Sequence, residues 1–322
     1  MKKLLMSVLM AAALPSGALA QAWPDKPVTV VVPFGAGGGV DAAARIVMPK
    51  LAERLGQQVV IENVPGASGT IGTQRVAKAK ADGYTLLFAV ASPINVAPLV
   101  APASVRYDAL KDLAPIAPVA VSPFVLVGKP GLPAATTAEL LALARKQPGK
   151  LTYGTDGFGT SLHVTAAMIT ATAGVDILHV PYKSGPQVLT DVAGGQVDLG
   201  VLPVALVQGM VKEGKVKAYG VTSKARSDAL PGVPSLSETP ALATLDVDSW
   251  MGLLGPAGLD PAIVARLNKE VAAVLADPAV LKQLADGGMK PMQMAPADFG
   301  AYLAKERKAL AAVITANNIK AE

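Results

Sequence analysis

The sequence predicts an α/β protein of two lobes with mixed, mainly parallel sheets. Three observations carry this. Strand, glycine turn and helix alternate twice before residue 90, and the same alternation starts again after residue 150. An apolar segment between the two blocks, Val119 to Val127, suits a chain crossing from one lobe to the other. A late strand near Ser249 to Leu254 returns to the first lobe, so that lobe is discontinuous.

The first twenty residues read as an export signal. Lys2 and Lys3 precede an apolar run from Leu4 to Leu14, and Ala18-Leu19-Ala20 forms a small-x-small cleavage site. The run is too short for a bilayer, which takes about 20 apolar residues. Cleavage after Ala20 leaves Gln21 first, with no cysteine there to carry a lipid, so a periplasmic location is expected. The chain has no cysteine at all, so no disulfide supports it in an oxidising compartment. With 322 residues it can bury a sizeable core, and at 4% aromatic content that core is aliphatic. The formal charge of +5 falls by two when Lys2 and Lys3 leave. The remaining basic residues are scattered without interleaved aromatics, so nucleic acid is not expected as a partner.

Val28 to Val32 is a β-branched run typical of a strand buried on both faces. After the turn at Gly35 to Gly39, Asp41 to Leu55 places Ala44, Val47, Met48, Leu51 and Leu55 at helical spacing, and Gly56 ends it. Val59 to Ile61 predicts a strand, Gly72 to Lys80 a helix, and Tyr84 to Phe88 a third strand. In the second block, Thr137 to Lys146 predicts a helix capped by Thr136 or Thr137. Strands follow at Leu151 to Tyr153, Ile177 to Val180, Val197 to Val201 and Val216 to Val221. Helices over Leu162 to Ala173, Gln187 to Ala193 and Val204 to Glu213 separate them. Two amphipathic helices, Pro261 to Ala276 and Ala297 to Asn317, close the chain, and Asp260 caps the first of them. The expected division is a signal over 1–20, lobe 1 over 21–122 and 248–322, and lobe 2 over 123–247.

The chemistry lies in the two glycine turns. Pro33 to Asp41 runs from a strand into a helix, and glycines let the backbone approach a ligand closely. The first N–H groups of a helix have no intrahelical partner, so with the helix dipole they suit a carboxylate or phosphate. A rival reading is a dinucleotide fingerprint: Gly37, Gly39 and Ala42 fit G-x-G-x-x-A, and Glu62 ends the next strand. The glycines sit late after the strand, and export separates the protein from cytosolic cofactors. Tyr153 to Ser161 repeats the arrangement in the second block, with Thr160 and Ser161 as N-caps. Two helix N-termini, one from each lobe, would then face one cleft. A catalytic set is missing: the two histidines, His163 and His179, stand without cysteine, and no G-x-S-x-G elbow exists. The expectation is a binding protein, not an enzyme, with neither cofactor nor metal.

These segments also carry a family resemblance. WPDKPVTVVVPFGAGGGVDAAAR, VVIENVPGASGTIGTQRVAKAKADGYTLL, LTYGTDGFGTSLH, VDILHVPYKSGPQVLTDVAGGQVD and SWMGLLGPAGLDPAIVARLN span nearly the whole chain after the signal. In this order they resemble the Bug-type family, the periplasmic solute-binding proteins of tripartite tricarboxylate transporters. The resemblance implies a two-lobe periplasmic-binding-protein fold of type II, a Venus flytrap that closes on a small organic carboxylate. Its ligand contacts fall here on Phe34, Gly35, Ala36, Gly37, Gly38, Gly39, Asp41 and Ser92. In the second block they fall on Gly159, Thr160, Ser161 and His163, with Tyr182, Gly185 and Pro186 on the hinge side. It also implies a monomer that presents its ligand to a membrane permease or to the periplasmic domain of a sensor kinase. Two departures bear on the ligand. The hydroxyl residue usual before the Asp is absent at Gly39 and Val40, and the usual Asp-Asn pair after the GGQVD segment is replaced by Leu202 and Pro203. The second departure predicts a ligand without a positive amine.

Overall fold

A computed structural model describes residues 23–316 and 319. The predicted cleavage after Ala20 lies outside the described residues. β1 (Val28–Val32), α1 (Gly39–Leu55), β2 (Val59–Asn63), α2 (Thr70–Ala77) and β3 (Thr85–Val90) follow in order. β1 pairs parallel with β2 on one side and β3 on the other. A π-helical turn, Ser92–Val96, then leads into α3 (Ala97–Val100) and later α4 (Ala109–Asp112).

Side chains of β1 alternate between two cores, as a strand's period of two requires. Val28, Val30 and Val32 meet Val47, Met48 and Leu51 of α1, while Val31 faces the opposite cluster with Val76 of α2. Both faces are covered, which explains the uninterrupted apolar run.

The crossing strand is longer than its apolar run. β4 extends over Leu113–Gly128, 16 residues. Its first part pairs antiparallel with β9 (Asp248–Pro256), down to Pro123 opposite Asp248. From Phe124 to Gly128 it pairs instead with β7 (Leu199–Pro203) and β8 (Lys217–Val221). The early part was hidden because its prolines lack a ladder donor. The register slips between Pro115 and Ala117 and again between Pro118 and Ala120.

The second block is α5 (Thr137–Lys146), β5 (Thr152–Thr155), α6 (Ser161–Ala173), β6 (Leu178–Pro181), α7 (Gly185–Ala193), β7, α8 (Val204–Lys212) and β8. β5 lies parallel between β6 and β7. After β9 come α9 (Pro261–Val274), α10 (Pro278–Asp286), the short β10 (Lys290–Pro291) and α11 (Pro296–Ala316). Among the described residues the strand order is β2-β1-β3-β9-β4-β7-β5-β6, with β8 and β10 also on β4. α9 and α10 pack with α1, whereas Phe299 and Leu303 of α11 join the α2 face. The result is two sheets bridged by β4, with β9 beside it at the crossing. Among the described residues no helix is long and apolar enough to cross a membrane.

Candidate functional site

Four helices open onto one cavity, whose empty space counted out into open solvent is about 760 Å³. α1 brings its cap Gly38 and first residue Gly39, and α6 brings Ser161 and Leu162. α7 brings its cap Ser184 with Gly185 and Pro186, and α8 its cap Pro203. The caps Gly38, Ser184 and Pro203 make no side-chain capping bond. The partial positive charge of several first turns therefore converges on one space. Phe34, Val90, Phe124, Leu206 and Met251 supply apolar walls, and Ser122 and Ser249 lie where β4 and β9 cross. Asp156 and Lys183 are the charged side chains among the described lining residues.

Phe34, Gly35, Gly38, Gly39, Ser92, Ser161, Gly185 and Pro186 thus meet at the cavity. Ala36, Gly37, Asp41, Gly159, Thr160, His163 and Tyr182 do not line it, and most of them hold the turns that do.

Asp41 braces the first turn from behind. It is 2% exposed. Its Oδ2 accepts from the Gly37 N–H at 2.9 Å and from Arg45 Nε at 2.8 Å, and its Oδ1 accepts from Asn63 Nδ2 at 3.0 Å. Asn63 Nδ2 also donates to the Phe34 carbonyl, tying the turn to the end of β2. Burial alone would raise the Asp41 carboxyl, but its bonds from Arg45, Gly37 and Asn63 outweigh that and hold it below the ordinary value. Gly37 takes φ +81°, a left-handed conformation suited to glycine.

The second turn rests on an aromatic stack. Thr160 caps α6 by accepting from the His163 N–H at 3.2 Å and donates to the Gly157 carbonyl at 3.0 Å. His163 Nδ1 accepts from the Gly159 N–H at 3.3 Å. The His163 ring stacks on His179 with centroids 4.4 Å apart, and Tyr153 stacks on His179's other face at 5.0 Å. Phe158 meets both imidazoles edge-on. Tyr182 turns its hydroxyl to Asp191 Oδ2 at 2.9 Å, on α7.

Burial lowers the His163 pKa to about 4. Burial, with help from His163, lowers that of His179 to about 3. Both imidazoles are neutral in the fold and would take up protons on unfolding from pH 6.5 downward. Their contribution to stability is complete above pH 6.5 and is lost as pH falls toward 4. His179→Phe keeps the stack and removes one such group. Between pH 7 and pH 5 this variant should lose less stability than the parent, by about 1 kcal/mol after allowing for solvent screening. Urea denaturation at the two pH values measures the difference, and equal losses in both proteins would refute the assignment.

Several contacts cross between the elements of the two sheets. Ser92, which opens the π-helical turn after β3, donates to Ser161 Oγ at 3.0 Å and accepts from the Ser161 N–H at 2.8 Å. Ser68 donates to the Phe158 carbonyl at 2.5 Å. A Cβ on Gly159 would lie 2.8 Å from Val100, and one on Gly39 would lie 3.1 Å from Pro203. At these points the two glycine turns come within side-chain contact of the opposite half.

Residues 43–319 match TctC, the tripartite tricarboxylate transporter family receptor. The chain belongs to that family. It is similar to the UPF0065 protein in the tcbD-tcbE intergenic region of Pseudomonas sp. strain P51, with 38% identity over 279 residues, 85% of this chain and 81% of that one. The solved structure of R. palustris Rpa4515 with adipate matches with a TM-score of 0.89 at 31% identity, over 92% of this chain and 99% of that one. The periplasmic binding protein BugD matches with a TM-score of 0.86 at 30% identity, over 93% of this chain and 100% of that one. The TctC fold of this chain is therefore the two-lobe α/β fold of periplasmic binding proteins such as BugD.

Sequence reasoning missed Lys183, Leu206 and the serines at the crossing strands, while Pro203, marked there only as a replacement, lines the cavity. Asp156 stood inside the second turn but carried no assigned role. Ser122 and Ser249 had no local signal, since only the pairing of two strands 127 positions apart brings them together.

Proposed function

We propose that this TctC-family receptor captures a small organic carboxylate in the periplasm and delivers it to the membrane subunits of a tripartite tricarboxylate-type transporter. The observation that carries the reading is the convergence of four helix N-termini on one apolar-walled cavity. A carboxylate placed there meets backbone N–H groups without needing a cationic partner, and its organic body contacts Phe34, Phe124 and Met251. The adipate of Rpa4515 supports an acid of this kind for the present chain.

The proposed lobes are 21–122 with 248–322, and 123–247, hinged where β4 and β9 cross. Phe34, Gly35, Gly38, Gly39, Ser92, Ser161, Gly185 and Pro186 contact the ligand, while Ala36, Gly37, Asp41, Gly159, Thr160, His163 and Tyr182 position the turns. Ligand bridging the two glycine turns stabilises the closed state, which is the form offered to the permease.

A thermal-shift screen of residues 21–322 against adipate, glutarate, benzoate, their amides and NAD tests this. A ligand at 100 times its Kd adds about 2.7 kcal/mol of stability. Stabilisation by an acid and none by its amide is the expected result. Stabilisation by NAD alone would replace the carboxylate reading with the dinucleotide one. Ser92→Ala and Ser161→Ala should each weaken the acid about 10- to 100-fold in calorimetric titration, the range for a lost hydrogen bond to a charged group. Unchanged affinity in both would remove these hydroxyls from the contact set.

A further inference from the structure

Asp156 is a carboxyl group in a cavity otherwise arranged for an anion. It lines the cavity beside Ser161, and its Oδ1 is closed off from solvent with no hydrogen-bond partner. It forms no ion pair among the described residues, although one cation lines the same cavity. That cation is Lys183, between β6 and α7. On α6 and β6, His163 and His179 stack on each other as neutral rings, and Tyr182 is engaged with Asp191. Across the cavity, Asp41 and Arg45 pair behind the first turn.

We propose that Asp156 meets the bound acid as a neutral carboxylic acid, donating a hydrogen bond to the ligand's carboxylate, so that capture takes up one proton. The inference rests on the carboxylate-receptor reading above and names the group presented to this corner: an anionic oxygen, not an ammonium. An ionised Asp156 would face the ligand as a like charge. The protonated form instead gives an O–H to O⁻ bond, among the stronger hydrogen bonds. Burial already pushes this carboxyl up to about 6, with Thr160 opposing, and a bound anion raises it further. The proton comes from solvent on binding and returns there on release; no covalent bond of the ligand changes. Loss of the Asp-Asn pair at 202–203 had predicted a ligand without an amine, and an acid-form Asp156 agrees with that.

The test is calorimetric titration at pH 6, 7 and 8 in two buffers of different ionisation enthalpy. The probe is whichever of adipate, glutarate and benzoate gives the largest thermal shift. Carboxyls of such acids ordinarily ionise below about pH 5, and His163 and His179 stay neutral throughout, so neither confuses the result. The parent protein should bind roughly tenfold more weakly for each unit of pH increase, with proton uptake approaching one per ligand. Asp156→Asn donates from its amide without needing a proton. It should bind at pH 8 nearly as tightly as the parent does at pH 6, with a flat pH profile. A pH-independent Kd with no proton uptake in the parent overturns the proposal while leaving the receptor reading intact. Preference for an ammonium-bearing acid, abolished in Asp156→Asn, overturns it as well. If Asp156→Asn does not fold, the proton count on the parent decides alone. If all three acids are inert, the receptor reading itself falls.

Discussion

Gly39→Val should abolish most ligand capture while leaving the unliganded protein close to its normal stability. Gly39 is the first residue of α1 and is buried, and its missing Cβ is the space that Pro203 occupies from the other half. A Cβ there lies 3.1 Å from Pro203 Cβ and 3.2 Å from its Cγ, and valine adds two methyl groups to that overlap. Overpacking of this kind costs about 1–3 kcal/mol. The backbone at Gly39 is ordinary, so on the proposed hinge motion an open form with α1 and α8 apart would accept valine without strain. On that proposal the cost falls on the closed, liganded state, and Kd should rise about 10- to 100-fold by titration calorimetry, with Tm of the free protein within a few degrees. Gly209→Ala on α8, where a Cβ meets nothing within 4 Å, is the control and should bind as the parent does. Undiminished affinity in Gly39→Val would show that α1 and Pro203 do not approach in the bound state.

The second large effect is expected at Asp41. Removing its carboxylate with Asp41→Ala strips the acceptor from the Gly37 N–H, the Arg45 guanidinium and the Asn63 amide together. Leaving buried donors unsatisfied costs about 1–3 kcal/mol each where water cannot reach them. Arg45 is more than half exposed and can turn to solvent, so a total loss of about 2–4 kcal/mol is expected in urea denaturation. Affinity should fall at least tenfold, because the turn that presents Gly38 and Gly39 loses its brace. The carboxyl ionises below its ordinary value of 3.8. Its contribution is thus present above that pH and is lost only as pH falls through the folded pKa. The parent and Asp41→Ala should consequently differ by the same amount at pH 6 and pH 8. A variant as stable as the parent would leave Asp41 with no bracing role.

Asp41 illustrates what could and could not be read in advance. Its place after three glycines and before an amphipathic helix marked the turn as a candidate site. That much follows from local rules of chain conformation. Whether its carboxylate points at the ligand or away depends on Asn63, which arrives from β2 after a helix has intervened. His163 shows the same limit. It sits in the first turn of α6 and was expected to reach a ligand, but the ring packs on His179 from the neighbouring strand. In both cases the role is set by a partner on the parallel strand next door.

The alternation of strands, turns and helices could be read from the chain alone. Period-two and helical spacing, glycine freedom and N-cap chemistry are properties of short stretches of chain and do not wait for the fold. The family could be read there too, through motifs that run in order along nearly all of the chain. Folding in three dimensions was needed to bring four helix starts, not two, to one cavity and to set Ser122 and Ser249 at the strand crossing. Only there does Asp156 become a buried carboxyl with one unpartnered oxygen among anion-seeking groups. The physical reason is that convergence and burial are relations between segments distant in sequence. The free energy of a charge or an unpaired donor depends on what those other segments bring to it.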